Sequence, residues 1–378
     1  PPAWFPGGGL LVLLGWMSFY AGIQPGVVRR AKLQAYLVGA LHMAAFSFSV
    51  RHVMLEAYLA IALLGGCYYV LMVIWTRALG RWVPTSLAFG LALAGAHWLR
   101  GHFTEIQYPH CQPVHCLYQF PELLGSLTWG SEILGNVLLG VLAAGLVDLY
   151  RAWRVGVPGH RRSLLVVALT VLVLVVTSWA PGSVPAPDRS VRIAALEPGF
   201  TATESLSGSY RDLLAERVLE PSRELLRQEP APDLLIWPES IHVHRLLGVE
   251  DSLRLEWMRN FQIELPETTR LLAGTTWAET SSDANNPKVI AVLSGAAGRY
   301  LGHHEKRRLV PGGEHQPFLD WLPTTWSDAI RQAFESAMGQ RLPDCSPGQA
   351  RGPLTTAASI PFGAMICFDN AFPEVSED

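Results

Sequence analysis

Charge is scarce in this sequence, and lysine scarcer still. Only 16% of the 378 residues are Asp, Glu, Lys or Arg, and of 29 basic residues just three are lysines, Lys32, Lys288 and Lys306. A net charge of −3 provides no basic surface for a nucleic acid partner. The five cysteines, Cys67, Cys111, Cys116, Cys345 and Cys367, are too few and too spread to form the disulfide framework of a small secreted domain. Cys111 and Cys116 alternate with His110 and His115, so they can pair in an oxidising compartment or bind a metal, although the spacing fits no common zinc pattern.

What stands in place of charge is apolar, and it is unevenly placed. Residues 7–23, 34–50, 55–75, 83–99, 131–147 and 163–179 are nearly free of charge. Each is about 17 to 21 residues long, the length that crosses a bilayer core as helix. Six spans are therefore expected over residues 1–180. Arg29, Arg30 and Lys32 follow the first, Arg77 and Arg81 the third, and Arg151, Arg154, Arg161 and Arg162 the fifth. Basic loops stay on the cytoplasmic side, so residues 100–129 and everything after 180 are expected on the outer face. Ionisable groups inside the apolar half, His42, Glu56, His97 and Glu132, either reach the interface or face other helices, or they mark a lipid headgroup site or substrate entrance. Gly130, Gly135 and Gly140 permit close helix packing. The chain opens on Pro1-Pro2 and ends eleven residues after Cys367, so a fragment cut at both ends is expected.

The Pro-rich stretch 180–188 ends the apolar half and marks a domain boundary. Beyond it, over 181–378, the pattern predicts strands at 191–196, 233–237, 271–275, 289–293, 299–304 and 360–366, with helices at 204–228 and 252–262, which is an α/β domain. Three strand ends carry a reactive group. Glu239 follows Leu-Leu-Ile-Trp-Pro, Lys306 follows the strand ending at His304, and Cys367 follows the apolar run to Ile366. A protein that writes nearly every cation as Arg has placed Lys306 beside Arg307 and Arg308, and an ammonium is a compact charge that a guanidinium does not replace. A thiol attacks only as thiolate, which a nearby carboxylate and ammonium together promote. Each residue also has a plainer reading: a buried structural thiol for Cys367, a solvated basic cluster around Lys306. The segment 309–353 reads as a long irregular connection with apolar groups at Phe318, Leu319, Trp321, Leu322, Trp326 and Phe334. It is either a lid that dips toward lipid or a strap packed on its own core.

Trp237-Pro238-Glu239-Ser240, Lys306 to Glu314, and Ile366-Cys367-Phe368-Asp369 resemble, in order, the three motifs of the nitrilase (carbon-nitrogen hydrolase) superfamily. With spans before the domain, and with His97-Trp98-Leu99-Arg100-Gly101 and the 119–136 stretch, the chain is similar to the apolipoprotein N-acyltransferase family. The resemblance implies a nitrilase-like α-β-β-α sandwich, with Glu239 as general base, Lys306 as oxyanion stabiliser and Cys367 as nucleophile. It implies supporting roles for Glu314, Trp237, Phe368 and Asp369. Asp369 stands where the family usually has Glu, Phe368 where it often has Tyr, and Gly312 where Phe is common. The implied reaction moves an acyl chain from a phospholipid, through a thioester, to the α-amine of a diacylglyceryl-cysteine on a lipoprotein, at the outer face of a bacterial inner membrane. It needs no metal or organic cofactor. Two alternatives use the same residues differently: a membrane-anchored amidase with water as acceptor, and a non-catalytic membrane scaffold.

Overall fold

The computed structural model describes residues 8–24, 30–52, 55–103, 107–155, 160–179, 189–200, 204, 210–239, 246–280, 286–338, 341–342, 344–372 and 375. The chain divides into two compact units, Pro1–Pro185 and Ala186–Asp378. The Pro-rich stretch 180–188 and the side chain of Glu56 lie outside the described residues.

The first unit is helical. Each expected span falls on a helix: α1 (Gly8–Ile23), α2 (Ala31–Phe46), α3 (Leu55–Leu79), α4 (Thr85–His102), α5 (Leu127–Val155) and α6 (His160–Trp179). Three stretches among them, Tyr58–Leu79, Glu122–Val155 and Arg161–Trp179, are long and apolar enough to cross a membrane. At 16 residues each, α1 and α2 reach about 24 Å, short of a full hydrocarbon core. Only 11% of the apolar stretch of α6 is buried within the unit, and Leu164, Leu165, Leu172 and Val176 are exposed. A helix that is apolar all round and turns those side chains outward needs a hydrocarbon neighbour.

The unit's own core is aromatic and small. Trp16 stacks on Tyr69 with centroids 5.7 Å apart, and Tyr20 packs against Phe89. A Cβ on Gly140 would lie 2.7 Å from the Gly90 backbone, so α4 and α5 approach as closely as they do because both positions lack one. At Gly130 and Ser131, residues with non-helical dihedrals separate the approach to α5 from its apolar body. Polar groups inside the unit are tied to one another. The Tyr20 hydroxyl donates to Asp148, Arg77 and Arg151 donate to the carbonyls of Ile23 and Ala21 at the end of α1, and Tyr69 shares a hydrogen bond with His42 Nδ1. Glu132 pairs with His115 at 2.8 Å, and His97 is buried. Cys111 and Cys116 are free thiols, and among the described residues no three His, Cys, Asp or Glu side chains form a metal cluster.

The second unit is built on one mixed sheet in the order β1 (Ile193–Ala195), β2 (Leu234–Ile236), β4 (Arg270–Ala278), β5 (Lys288–Ser294), β6 (Tyr300–Glu305), with β3 (Leu246–Leu247) pairing the far end of β4. β1, β2, β3 and β4 run parallel, and β4, β5 and β6 antiparallel. β4 and β5 are almost wholly buried and read as continuous apolar runs, as strands covered on both faces must. One face packs Leu235, Leu271, Ala273, Ile290 and Val292 against the helical layer of α7 (Tyr210–Leu214), α8 (Glu220–Leu226) and α9 (Glu250–Asn260). The other face packs Leu234, Leu272, Val289 and Leu293 against Leu354 and Ile366.

Two expectations need correction. Residues 360–366 do not form a strand of the main sheet: only Pro361–Phe362 (β8) is extended and paired, with Leu354–Thr355 (β7), in a separate two-stranded ribbon. Of that apolar run only Ile366 is buried, by packing rather than by a ladder, and Met365 is exposed, which composition does not distinguish. The 309–353 connection is not irregular throughout, because Thr324–Met338 forms a helix, α10. Trp326, Ile330 and Phe334 recur every fourth residue along it, a helical period inside what reads as a loop.

Candidate functional site

Strand ends and two tight turns assemble the site in the second unit. The chain leaves β2 with the Trp237 N–H still paired to the Leu272 carbonyl, which sets Glu239 beside the middle of β4. There Gly274 makes room: a Cβ on it would lie 2.5 Å from Glu239 Cα and 2.6 Å from its carbonyl oxygen, with backbone on both sides of the clash. At the end of β6 the pleat sends Glu305 and Lys306 to opposite faces. Lys306, fully buried, reaches Glu239 Oε1 at 2.9 Å and Glu314 Oε1 at 2.6 Å. The other Glu314 oxygen accepts the Val310 N–H at 2.8 Å, so a turn holds that carboxylate. The turn passes through Gly312 at φ +79°, a left-handed position that suits glycine.

Burial alone would lower the Lys306 pKa, but hydrogen bonds and charge from Glu314 and Glu239 outweigh it, and the ammonium is held above its ordinary range. The reverse holds at Cys367. Partial desolvation of the sulfur and the Glu239 carboxylate alongside raise its pKa, and Lys306 opposes them only in part. The resting cysteine is therefore a thiol next to a carboxylate that can take its proton. Cys367 opens a single 3-10 turn, Cys367–Ala371, at φ +47°, and is itself exposed. A non-glycine residue in that region costs about 1–2 kcal/mol, and such strain concentrates where a side chain has to be aimed.

Asp369 joins the cysteine turn to the lysine loop. Fully buried, it accepts the N–H groups of Arg307 and Arg308 on one oxygen, at 3.1 and 2.8 Å, and the Ile366 N–H on the other, at 3.3 Å. His304 Nε2 lies 3.6 Å from the second oxygen. The shorter acidic side chain is thus a brace between the two reactive loops. Phe368 is buried, edge-on to Phe372 at 5.1 Å, in a small cluster with Val375 and Val310 that packs the turn. Trp237 is a core residue whose indole N–H donates to Ser222 Oγ at 2.8 Å, so it supports the strand and does not line the site. Ser240 lies outside the described residues.

Two supporting groups escaped the sequence reading. Gly274 sits inside an apolar strand, where a glycine signals close backbone approach. Glu305 is fully buried on the opposite face from Lys306, and it accepts His303 Nε2 at 3.2 Å, Lys288 Nζ at 3.1 Å, the Gln349 N–H at 2.9 Å and the Arg351 guanidinium. These donors overcome burial and hold its pKa far below the carboxylate range. The cluster ties residues 348–351 to the strand end, and the Gly348 N–H donates to the Lys306 carbonyl at 2.7 Å.

No family model matches the chain. Curated proteins do. It is 24% identical over 310 residues to a Brucella suis protein named apolipoprotein N-acyltransferase, an alignment covering 80% of this chain and 54% of that one. Proteins of the same name from Pseudomonas aeruginosa PAO1 and Allorhizobium ampelinum are 25% and 22% identical, covering 78% and 80% of this chain and 51% and 53% of theirs. The chain spans about half the length of the curated relatives it matches. The likeness read from three short motifs thus extends over four fifths of the sequence, and the proteins to which the chain is homologous are named apolipoprotein N-acyltransferases.

Proposed function

We propose that the chain is the membrane and catalytic portion of an enzyme that acylates the N-terminus of lipoproteins through a cysteine thioester. The observation that carries this is the buried Lys306 ammonium held between Glu239 and Glu314 beside the Cys367 thiol. Glu239 takes the thiol proton as sulfur attacks an ester carbonyl of a phospholipid. The oxyanion that forms faces Lys306, an interaction worth on the order of 10²–10³ in rate per donor. Collapse expels the lysophospholipid oxygen, which takes the proton back from Glu239 and leaves the acyl group on Cys367. In the second half, the α-amine of a diacylglyceryl-cysteine attacks the thioester, Glu239 accepts the amine proton, and the released thiolate recovers it. Glu314 anchors the ammonium and Asp369 sets its distance from the sulfur. Because the resting thiol is neutral, proton transfer accompanies attack and the unloaded site is protected from oxidation.

This reading takes the mixed sheet as part of a nitrilase-like α-β-β-α sandwich. It also places the second unit on the outer face of a bacterial inner membrane, with the arginine-rich loops of the first unit supporting that orientation. Intact-mass spectrometry of the chain after incubation with phospholipid vesicles tests it. A long-chain acyl adduct on Cys367, absent from Cys367→Ser, is expected. Turnover of small amides with no adduct assigns the site to hydrolysis instead, and neither product rejects catalysis by this triad.

A further inference from the structure

A polar cavity lies wholly within the first unit, where the α3–α4 loop meets the later turns of α5 and the first turns of α6, and its volume is about 470 Å³. It shares no residue with the catalytic constellation. Arg81 and Arg162 both line it, and neither has an ion pair or hydrogen bond among the described residues. Thr85 and Ser86 of the first turn of α4 line the same cavity, and among the described residues no side chain caps that helix, which leaves its leading N–H groups open to a ligand. Ser86 is only 5% exposed, lines the cavity, and has no hydrogen-bond partner for its hydroxyl among the described residues. Two guanidiniums, a free hydroxyl and an uncapped helix N-terminus make a phosphate site, because guanidinium forks and first-turn N–H groups both match tetrahedral oxyanions.

One wall carries the opposite sign. Asp148 lines the cavity, and among the described residues its oxygens accept only the Tyr20 hydroxyl, at 3.1 and 3.0 Å, which leaves lone pairs free. The cavity therefore suits a ligand bearing both a phosphate and an ammonium. Its position selects the source. Trp82 on the rim is 86% exposed and Leu164 and Leu165 beside the lining turn outward, the pattern of a helix end at a bilayer interface. Basic pockets between spanning helices at that depth hold lipid headgroups. We propose that this cavity binds the phosphodiester headgroup of a membrane phospholipid, with phosphate on Arg81, Arg162 and the start of α4, and the headgroup amine, where present, on Asp148.

The full chain, purified in mild detergent and incubated with vesicles of phosphatidylethanolamine or phosphatidylglycerol, provides the test by native mass spectrometry. The Arg81→Gln/Arg162→Gln pair should reduce retained phospholipid by about tenfold or more, since a hydrogen bond to a charged group contributes on that scale. Asp148→Asn should shift the retained mixture from ethanolamine toward glycerol headgroups. Inorganic phosphate provides the second arm: binding of phosphate that the arginine pair abolishes, with no lipid retained, assigns the same site to a free anion. If the arginine variant does not fold, a headgroup-photoactivatable phospholipid on the unaltered chain replaces it, with crosslinks expected on 80–86 or 162–166. Equal lipid and phosphate binding with and without the two arginines, or crosslinks confined to other segments, overturns the proposal.

Discussion

At the scale of single residues, the site is an arrangement of charges around one sulfur. Glu239 raises the Cys367 pKa and Lys306 lowers it, so their removal should move the thiol in opposite directions. Alkylation of Cys367 by iodoacetamide should require a pH above the free-thiol value of about 8.5. Glu239→Gln should bring that profile down the pH scale while cutting thioester formation by at least about 10²-fold, and Lys306→Met should push it up. A profile that ignores both changes would place the sulfur outside their field. Glu239 and Cys367 stood out in the sequence because each follows an apolar run, and Lys306 because it is one of three lysines and lies at a strand end. Asp369 was legible only as a departure from a pattern. Its role depends on three backbone N–H donors from the lysine loop and the cysteine turn, with the His304 ring close by, and no spacing rule brings residues 304, 307, 308 and 366 together.

Among the elements, β4 and α10 deserve separate experiments. In β4 the absence of a side chain at Gly274 lets the Glu239 backbone lie against the strand, and Gly274→Ala forces one of two backbones to move. A displacement near 1 Å costs catalysis about 10²-fold. The expected result is a fall of that size in acyl transfer with an unchanged circular dichroism spectrum. Retention of full activity would show that the close approach has no catalytic consequence. On α10 and the turn before it, Trp321 and Trp326 are each 65% exposed, which fits the lid reading of the 309–353 arm better than the core-packing one. Replacing both with Ser should slow thioester formation from vesicles severalfold and leave reaction with a short, soluble ester donor unaltered. Equal loss with both donors would make the arm a structural strap. The strands that form the main sheet from β1 to β6, apart from the short β3, followed from the apolar pattern, whereas the expected 360–366 strand did not form and α10 was hidden because its surroundings are rich in proline and glycine.

Over the whole molecule, two buried clusters beside each other set the pH limits of the second unit. Glu305 has a folded pKa depressed below its unfolded value of about 4.3, so its contribution is present above that value and is lost as pH falls through the folded pKa. Lys306 has a raised folded pKa, so its contribution is complete below the unfolded value of about 10.4 and is lost as pH rises through the folded one. Glu305→Gln should therefore lower stability at neutral pH, by about 3–5 kcal/mol if the cationic partners stay buried, and should flatten the acid limb of the unfolding curve. Denaturant titrations at pH 3 to 8 on wild type and variant measure this. A variant with an unaltered acid limb would remove Glu305 from that role.

The sequence by itself determined the division of labour between an apolar helical half and an α/β half, the helices that fill the first, and the residue types with chemistry in the second. Those features are written in local composition and period, which burial in lipid or in a sheet imposes directly. Tertiary structure alone decided that an ammonium sits between two carboxylates 67 and 8 residues away. It also decided that the cysteine turn is packed rather than laddered, and that a glycine in a buried strand gives the Glu239 backbone its room. Such contacts depend on which strand ends meet, and that is settled by the packing of the whole unit rather than by any one stretch of it.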